Sequence, residues 1–197
     1  MQQSVDEAGT DGLSERISAA QGRLSSIYGL DLELRVEDFL IPAERARELL
    51  PAEGPRTGVL ALQEAGTLYI ALYVDPADAA DADAIVEETS HILCLAWHAA
   101  RDRPISRLHL ELQGEVDRYA VARVSGSEID PLGHFEDFDW ADWMDAETLA
   151  RYRTAHHVAS RYCRSLEARF PQRSDTLAWL SELRRFYRAG PEAKLRY

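Results

Sequence analysis

Glu87, Glu88 and His91 set two carboxylates and an imidazole inside an otherwise apolar run, ADAIVEETSHILCLAWHAA. On a helix, residues three and four apart are neighbours, so Glu87, Glu88 and His91 share about one face. A carboxylate and an imidazole held side by side form a competent pair of ligands for Zn²⁺. His98 falls on the same face two turns on, roughly 10 Å further along the axis, where it lines a groove and is too far to join the same ion.

The next helical stretch, LELQGEVDRYA, carries a second pair of carboxylates, Glu111 and Glu115, again four apart. If the two helices pack side by side, these acids complete a site, either mononuclear or a carboxylate-bridged pair. Asp117 is suited to hold the far N–H of an imidazole, and Arg118 to neutralise a carboxylate. A ligand set this rich in carboxylate gives negative charge to the ion, which makes Mn²⁺ or Fe²⁺ credible beside Zn²⁺. The expected cofactor is therefore a divalent transition metal, or none if the site is degenerate.

Each of these residues also has a bland reading. Glu87, Glu88 and His91 can be a solvated helix start with one satisfied histidine. Glu111 and Glu115 can be an exposed face, or partners for Arg101, Arg103 and Arg107. His156 falls in an apolar helical seam, where a lone histidine is usually a hydrogen-bonded core residue, and His157 reads as surface. His134 stands near Asp130, Asp137 and Asp139, but the stretch lacks the glycine and ligand spacing of a Ca²⁺ hand, so a solvated acidic surface is the simpler expectation. Gly54, Gly58 and Gly66 form no phosphate-binding loop, and no Gly-x-Ser-x-Gly elbow occurs.

The elements that must position these groups follow from periodicity. A helix over about 14–28 stripes Ile17, Ala20, Leu24 and Ile27 and stops at Gly29. Leu30, Leu32, Leu34 and Val36 then alternate with charged residues, which predicts a half-buried strand. Pro42 opens a short helix ending near Leu50. Thr57–Leu62 and Thr67–Val74 read as a hairpin. Helices follow over about 83–101 and 106–124, the second capped by Ser106. A seam of Leu149, Tyr152, His156, Ala159, Cys163, Leu166 and Phe170 predicts a long helix ended by Pro171, and a last helix runs over about 174–189. The expected fold class is α+β, a small, mostly antiparallel sheet packed on helices with a helical C-terminal part. The expected organisation is one domain over 1–197, with a core over about 30–124, an acidic aromatic loop over 125–147 and C-terminal helices over 148–189.

Composition bounds the function. The 197 residues carry 34 acids and 22 bases, a net charge of -12, which opposes the counterion release that drives general nucleic-acid binding. The acids and bases are unevenly placed, 30 against 11 over 1–150 but 4 against 11 over 151–197, which suggests that the two parts dock on each other. Glu128 to Glu147 holds eight acids and no Lys or Arg, with four large aromatics (Phe135, Phe138, Trp140 and Trp143). No basic leader, apolar h-region or run long enough to span a bilayer is evident, so a cytoplasmic protein away from membranes is expected. Cys94 and Cys163 fall at apolar helical positions and read as small hydrophobes.

A strand ending in TLYIALYV, a helix bearing Glu-Glu-x-x-His and a second bearing Glu-x-x-x-Glu-x-Asp-x-Tyr-Ala resemble the zincin-like metalloproteases. The resemblance is nearest to the small bacterial gluzincins that cleave phage or stress-response repressors, and it covers roughly 57–124. It implies that the edge strand holds a peptide, that Glu88 is the general base and that His91 is a metal ligand. The chain departs from the family's His-Glu-x-x-His at Glu87, which stands in place of the first histidine. The third ligand often lies four residues before an Asp such as Asp117, where this chain has Gln113, so Glu111 or Glu115 takes that part. The resemblance thus implies a metal-dependent peptidase acting on a protein. The alternative is a non-catalytic descendant whose groove or acidic loop holds a basic partner protein.

Overall fold

The structure, a computed structural model, describes residues 3–50, 55–126, 130–136, 140 and 144–197. Helix α1 (Gln3–Tyr28) starts earlier than its apolar stripe predicts. It ends at Gly29, whose φ of 61° is the left-handed conformation that closes helices. Helix α2 (Ala43–Leu49) follows, with Pro42 at its N-cap.

Strands β1 (Gly58–Glu64) and β2 (Thr67–Tyr73) pair antiparallel, from Gly58 opposite Tyr73 to Glu64 opposite Thr67. Ala65 and Gly66 both take positive φ, as a two-residue turn matched to right-handed strand twist requires. The other edge of β2 is met by a single bridge, where Ile41 N donates to Leu72 O at 2.8 Å.

The strand expected over 30–36 does not form. The side chains do alternate, with Leu32 and Leu34 half-buried, Val36 buried and Asp31, Glu33 and Arg35 exposed, but no second strand lies alongside. The Gln21 side chain on α1 takes that place, donating to Leu34 O and accepting from Val36 N, each at 2.8 Å. A single 3-10 turn over Val36–Phe39 then leads to α2.

Helix α3 (Ala82–Ala99) is capped by Asp81, whose carboxylate accepts from the backbone N–H of Asp83 and Ala84. Helix α4 (Arg107–Ser125) is capped by Ser106, as its sequence predicts. Helix α5 (Ala146–Arg169) is capped by Asp145, and α6 (Thr176–Arg188) and the short α7 (Pro191–Lys194) complete the chain. Among the described residues the fold is α+β and mostly helical, with one two-stranded antiparallel sheet. No described helix is long and apolar enough to cross a membrane.

Helix α4 lies at the centre. Asp83 approaches Arg118 while His91 approaches Glu111, so α3 runs antiparallel to α4. On the other side Arg151 meets Glu111 and His156 meets Glu115, so α5 runs parallel to α4. The segment between α4 and α5 must therefore travel back along the bundle, and a 3-10 turn over Gly133–Phe135 lies on that path. Leu112, Val116, Tyr119 and Ala120 of α4 are wholly buried, with Ile92 and Leu93 of α3 and Ala159, Tyr162 and Leu166 of α5 in the same core. Burying a large apolar side chain contributes about 1.5–3 kcal/mol, so this seam fixes how the polar groups between the helices face one another. Cys94 and Cys163 are buried and unpaired, in keeping with their apolar positions.

Basic side chains of the C-terminal part do dock on the rest of the chain. Arg184 Nε and Arg188 Nη2 donate to Ile27 O and Tyr28 O at the end of α1. Cations at a helix C-terminus offset its dipole, typically by 0.3–1 kcal/mol each.

Candidate metal centre

Glu87, His91 and Glu111 each bring one ligand atom to a common place, all within 4.8 Å of one another. His91 Nε2 lies 3.7 Å from Glu111 Oε2 across the α3–α4 seam. Both atoms are buried and neither makes a hydrogen bond. Buried polar atoms are nearly always satisfied in native proteins, and a cation placed between these two would satisfy both. Glu87, His91 and Glu111 can therefore hold a metal ion, and the residue types fit a borderline divalent cation.

Gly114 makes the approach of the two helices possible. A Cβ built there would lie 3.1 Å from Glu87 Cγ and 3.2 Å from His91 Nε2. The glycine costs about 1 kcal/mol of helix propensity relative to alanine, and its position leaves room for both ligands.

Glu88 sits on the other side of the imidazole, its Oε2 3.2 Å from His91 Nδ1. A carboxylate on Nδ1 fixes the tautomer that presents Nε2 as the ligand atom. Asp117 does not take that part. Its carboxylate accepts from Ser90 Oγ at 2.6 Å, Gln113 Nε2 at 2.7 Å and the Tyr28 hydroxyl. Lys194 Nζ from α7 donates to Gln113 Oε1 at 2.8 Å and closes a wholly buried network directly behind the candidate ligands.

Arg118 neutralises carboxylates, as its position in the sequence suggests. Its Nη1 lies 3.4 Å from Glu87 Oε2 and 3.8 Å from Glu115 Oε2. Glu115 faces away from His91, with its Oε1 3.1 Å from His156 Nδ1 and its Oε2 3.4 Å from His134 Nε2. The structure thus brings Glu111 to Glu87 and His91, and turns Glu115 toward α5.

The electrostatics follow this division. Burial pushes Glu87 up to about 7, against the pull of His91 and Arg118. Burial also raises Glu111, opposed by His91. For His91, burial acts downward but is outweighed by Glu88, Glu111 and Glu87, which lift it to about 10. Glu115 is buried too, which raises it, yet the His134 and His156 imidazoles facing it and the charge of Arg118 hold it at about 2.

Several expectations resolve differently elsewhere. His98 is buried near the end of α3, away from the cluster, and His157 is exposed. His134 joins Glu115 and not the acids of its own loop; Asp130 accepts from Leu132 N, and Asp137, Asp139, Phe138 and Trp143 lie outside the described residues. Tyr152 is a site neighbour that sequence reading placed only in the α5 seam. Its hydroxyl is driven upward by burial and by Glu111, Glu87 and Glu88. The recurrence of Arg151-Tyr152 and His156 at the same spacing as Glu111 and Glu115 is the signal that pairs α5 with α4.

The chain matches no protein-family model, no curated protein and no solved structure.

Proposed function

We propose that this protein is a divergent zincin-like metal-binding protein that holds one divalent transition metal ion at Glu87, His91 and Glu111 and acts as a metal-dependent peptidase on a protein substrate. The observation that supports the reading most is the pair of orphaned ligand atoms, His91 Nε2 and Glu111 Oε2, facing each other beside Gly114. When bound, the ion supplies Lewis acidity that polarises a peptide carbonyl.

The chain's own residues do the rest. Glu88 Oε2 holds the imidazole through Nδ1, and Glu88 Oε1, which makes no hydrogen bond to the described residues, would accept the proton that the attacking water gives up and pass it to the leaving amine as the C–N bond breaks. Arg118 offsets the charge of Glu87. Tyr73, at the end of β2, lies close enough to Glu88 to be raised by its charge as well as by burial, to about 12, which brings the sheet to the border of the site.

Elemental analysis of protein purified without chelator tests this reading. A bound transition metal that disappears in His91→Ala and Glu111→Gln but persists in Glu88→Gln is the expected result, with Glu88→Gln abolishing cleavage of a casein substrate. Metal-free wild-type protein that cannot be loaded overturns it and leaves the non-catalytic binding module. Metal retained by His91→Ala at the wild-type level overturns the ligand assignment.

A further inference from the structure

We propose that the cavity where the ends of α1, α3 and α6 meet binds a small phosphate monoester, with Arg101, Arg103 and Arg188 on the phosphate and Asp31 on a hydroxyl of the organic part. These four side chains line one cavity of about 520 Å³, a size usual for small-molecule sites. Trp97 and Leu30 supply its apolar wall. The place is separate from the candidate metal centre, because Trp97 stands roughly 9 Å along α3 from His91.

Local backbone geometry aims the arginines. Asp102 takes a φ of 49°, in the left-handed region that residues other than glycine rarely adopt. The turn is closed by Asp102 N donating to Ala99 O at 3.2 Å and Arg103 N donating to His98 O at 3.0 Å. Arg101 and Arg103, on either side of it, fold over the same indole, with guanidinium carbons 4.4 and 5.6 Å from the Trp97 ring centroid. Arg188 reaches the cavity from the end of α6.

Capping the helix ends uses only part of these guanidiniums. Arg101 Nη1 donates to Trp97 O at 3.2 Å, Arg103 Nη1 to Arg188 O at 3.2 Å, and Arg188 to Arg184 O at 3.2 Å and Tyr28 O at 3.0 Å. Each guanidinium offers more N–H groups than these bonds consume. Among the described residues none of the three forms an ion pair with a carboxylate, and Asp31 lines the cavity with no ion pair of its own.

Unneutralised cations gathered on one cavity repel one another until an anion enters. A planar carboxylate is satisfied by a single guanidinium fork, whereas a phosphate presents oxygens in several directions and suits forks that arrive from separate helix ends. A bare phosphate fills little of the cavity, which leaves room for an organic part beside Leu30 and Asp31.

Calorimetric titration of the full-length protein in chloride buffer tests the site with inorganic phosphate and with glycerol phosphate. Both should saturate at one molecule per chain, glycerol phosphate the more tightly. Arg101→Gln and Arg103→Gln should each weaken both probes at least about tenfold, while Arg107→Gln, which removes an exposed charge outside the cavity, should leave them within about twofold. Asp31→Asn, at an exposed position that anchors no helix, should bring the two probes to within about twofold of each other. Absence of saturable binding in the wild type, or an equal loss in Arg107→Gln, overturns the site. Equal wild-type affinities for the two probes, or a preference that survives Asp31→Asn, overturns the assignment of a hydroxylated monoester.

Discussion

His91 Nε2 and Glu111 Oε2 face each other 3.7 Å apart from opposite sides of the α3–α4 seam, and neither is hydrogen-bonded. That relationship exists because three residues near it are specialised for approach and aim. Gly114 leaves the space, Glu88 sets the imidazole, and the Asp117 network pins Ser90 beside His91 and Gln113 beside Gly114.

Gly114→Ala should separate stability from binding. The new methyl lies 3.1 Å from Glu87 Cγ and 3.2 Å from His91 Nε2, so one ligand must move by a few tenths of an ångström. Alanine returns about 1 kcal/mol of helix propensity, which offsets much of the crowding. The expected outcome is a melting temperature within a few degrees of wild type and a metal affinity at least about tenfold weaker, equivalent to about 1.4 kcal/mol. Calorimetric titration with Zn²⁺ beside a thermal melt checks both, and unchanged affinity would remove Gly114 from the account of the site.

In chelated protein, stability should fall as pH rises from about 5 to 7. Burial pushes Asp117 up to about 6, against hydrogen bonds from Ser90, Tyr28 and Gln113, and it pushes Glu87 up to about 7. Both carboxyls ionise near 4 in the unfolded chain, so between about pH 4 and 7 the folded state holds more protons and loses stability as they leave. Glu115 has the opposite sign: held at about 2, it contributes above its unfolded value and loses that contribution only as pH falls toward 2. His91, lifted to about 10, contributes fully below its unfolded value near 6.5 and loses that contribution as pH rises toward 10. The net expectation is a maximum near pH 4 and a loss of roughly several kcal/mol by pH 7. Urea midpoints at pH 5, 6 and 7 measure it, and Asp117→Asn should flatten the slope. A midpoint that climbs steadily to pH 7 would contradict this assignment of protons.

Gln21→Ala should destabilise the fold without touching metal content. Its carboxamide serves Leu34 O and Val36 N, two partly buried backbone groups that have no strand partner. Leaving such groups unsatisfied costs about 1–3 kcal/mol. Urea denaturation gives the cost directly, and a loss of zinc in this variant would show that the segment 30–36 couples to the site.

Much of the helical frame is legible in the sequence because local signals and burial agree there. Ser106 caps α4, Gly29 ends α1, and the two apolar runs that flank Gln63 to Gly66 form the hairpin. The segment 30–36 shows where such reading stops. Its two-residue period correctly reports which side chains face the core, but a period cannot say whether the backbone partner is a strand or one glutamine.

At the site, helical spacing alone brings Glu87, Glu88 and His91 together and offers Glu111 and Glu115 as equals. Only the packing separates them: Glu111 turns to His91, and Glu115 turns to His134 and His156 more than 18 residues further along the chain. Spacing suits Asp117 to an imidazole, whereas the structure gives it to Ser90, Gln113 and Tyr28. A residue on α1 cannot be foreseen as a partner from the spacing within α4.

Lys194 belongs to the last short helix, yet its ammonium is buried against Gln113, the residue preceding Gly114. The tail of the chain is thereby wired to the middle of the molecule. Trimming the final four residues would withdraw a positive charge from behind the candidate ligands, so an edit that looks peripheral on paper would be felt at the centre.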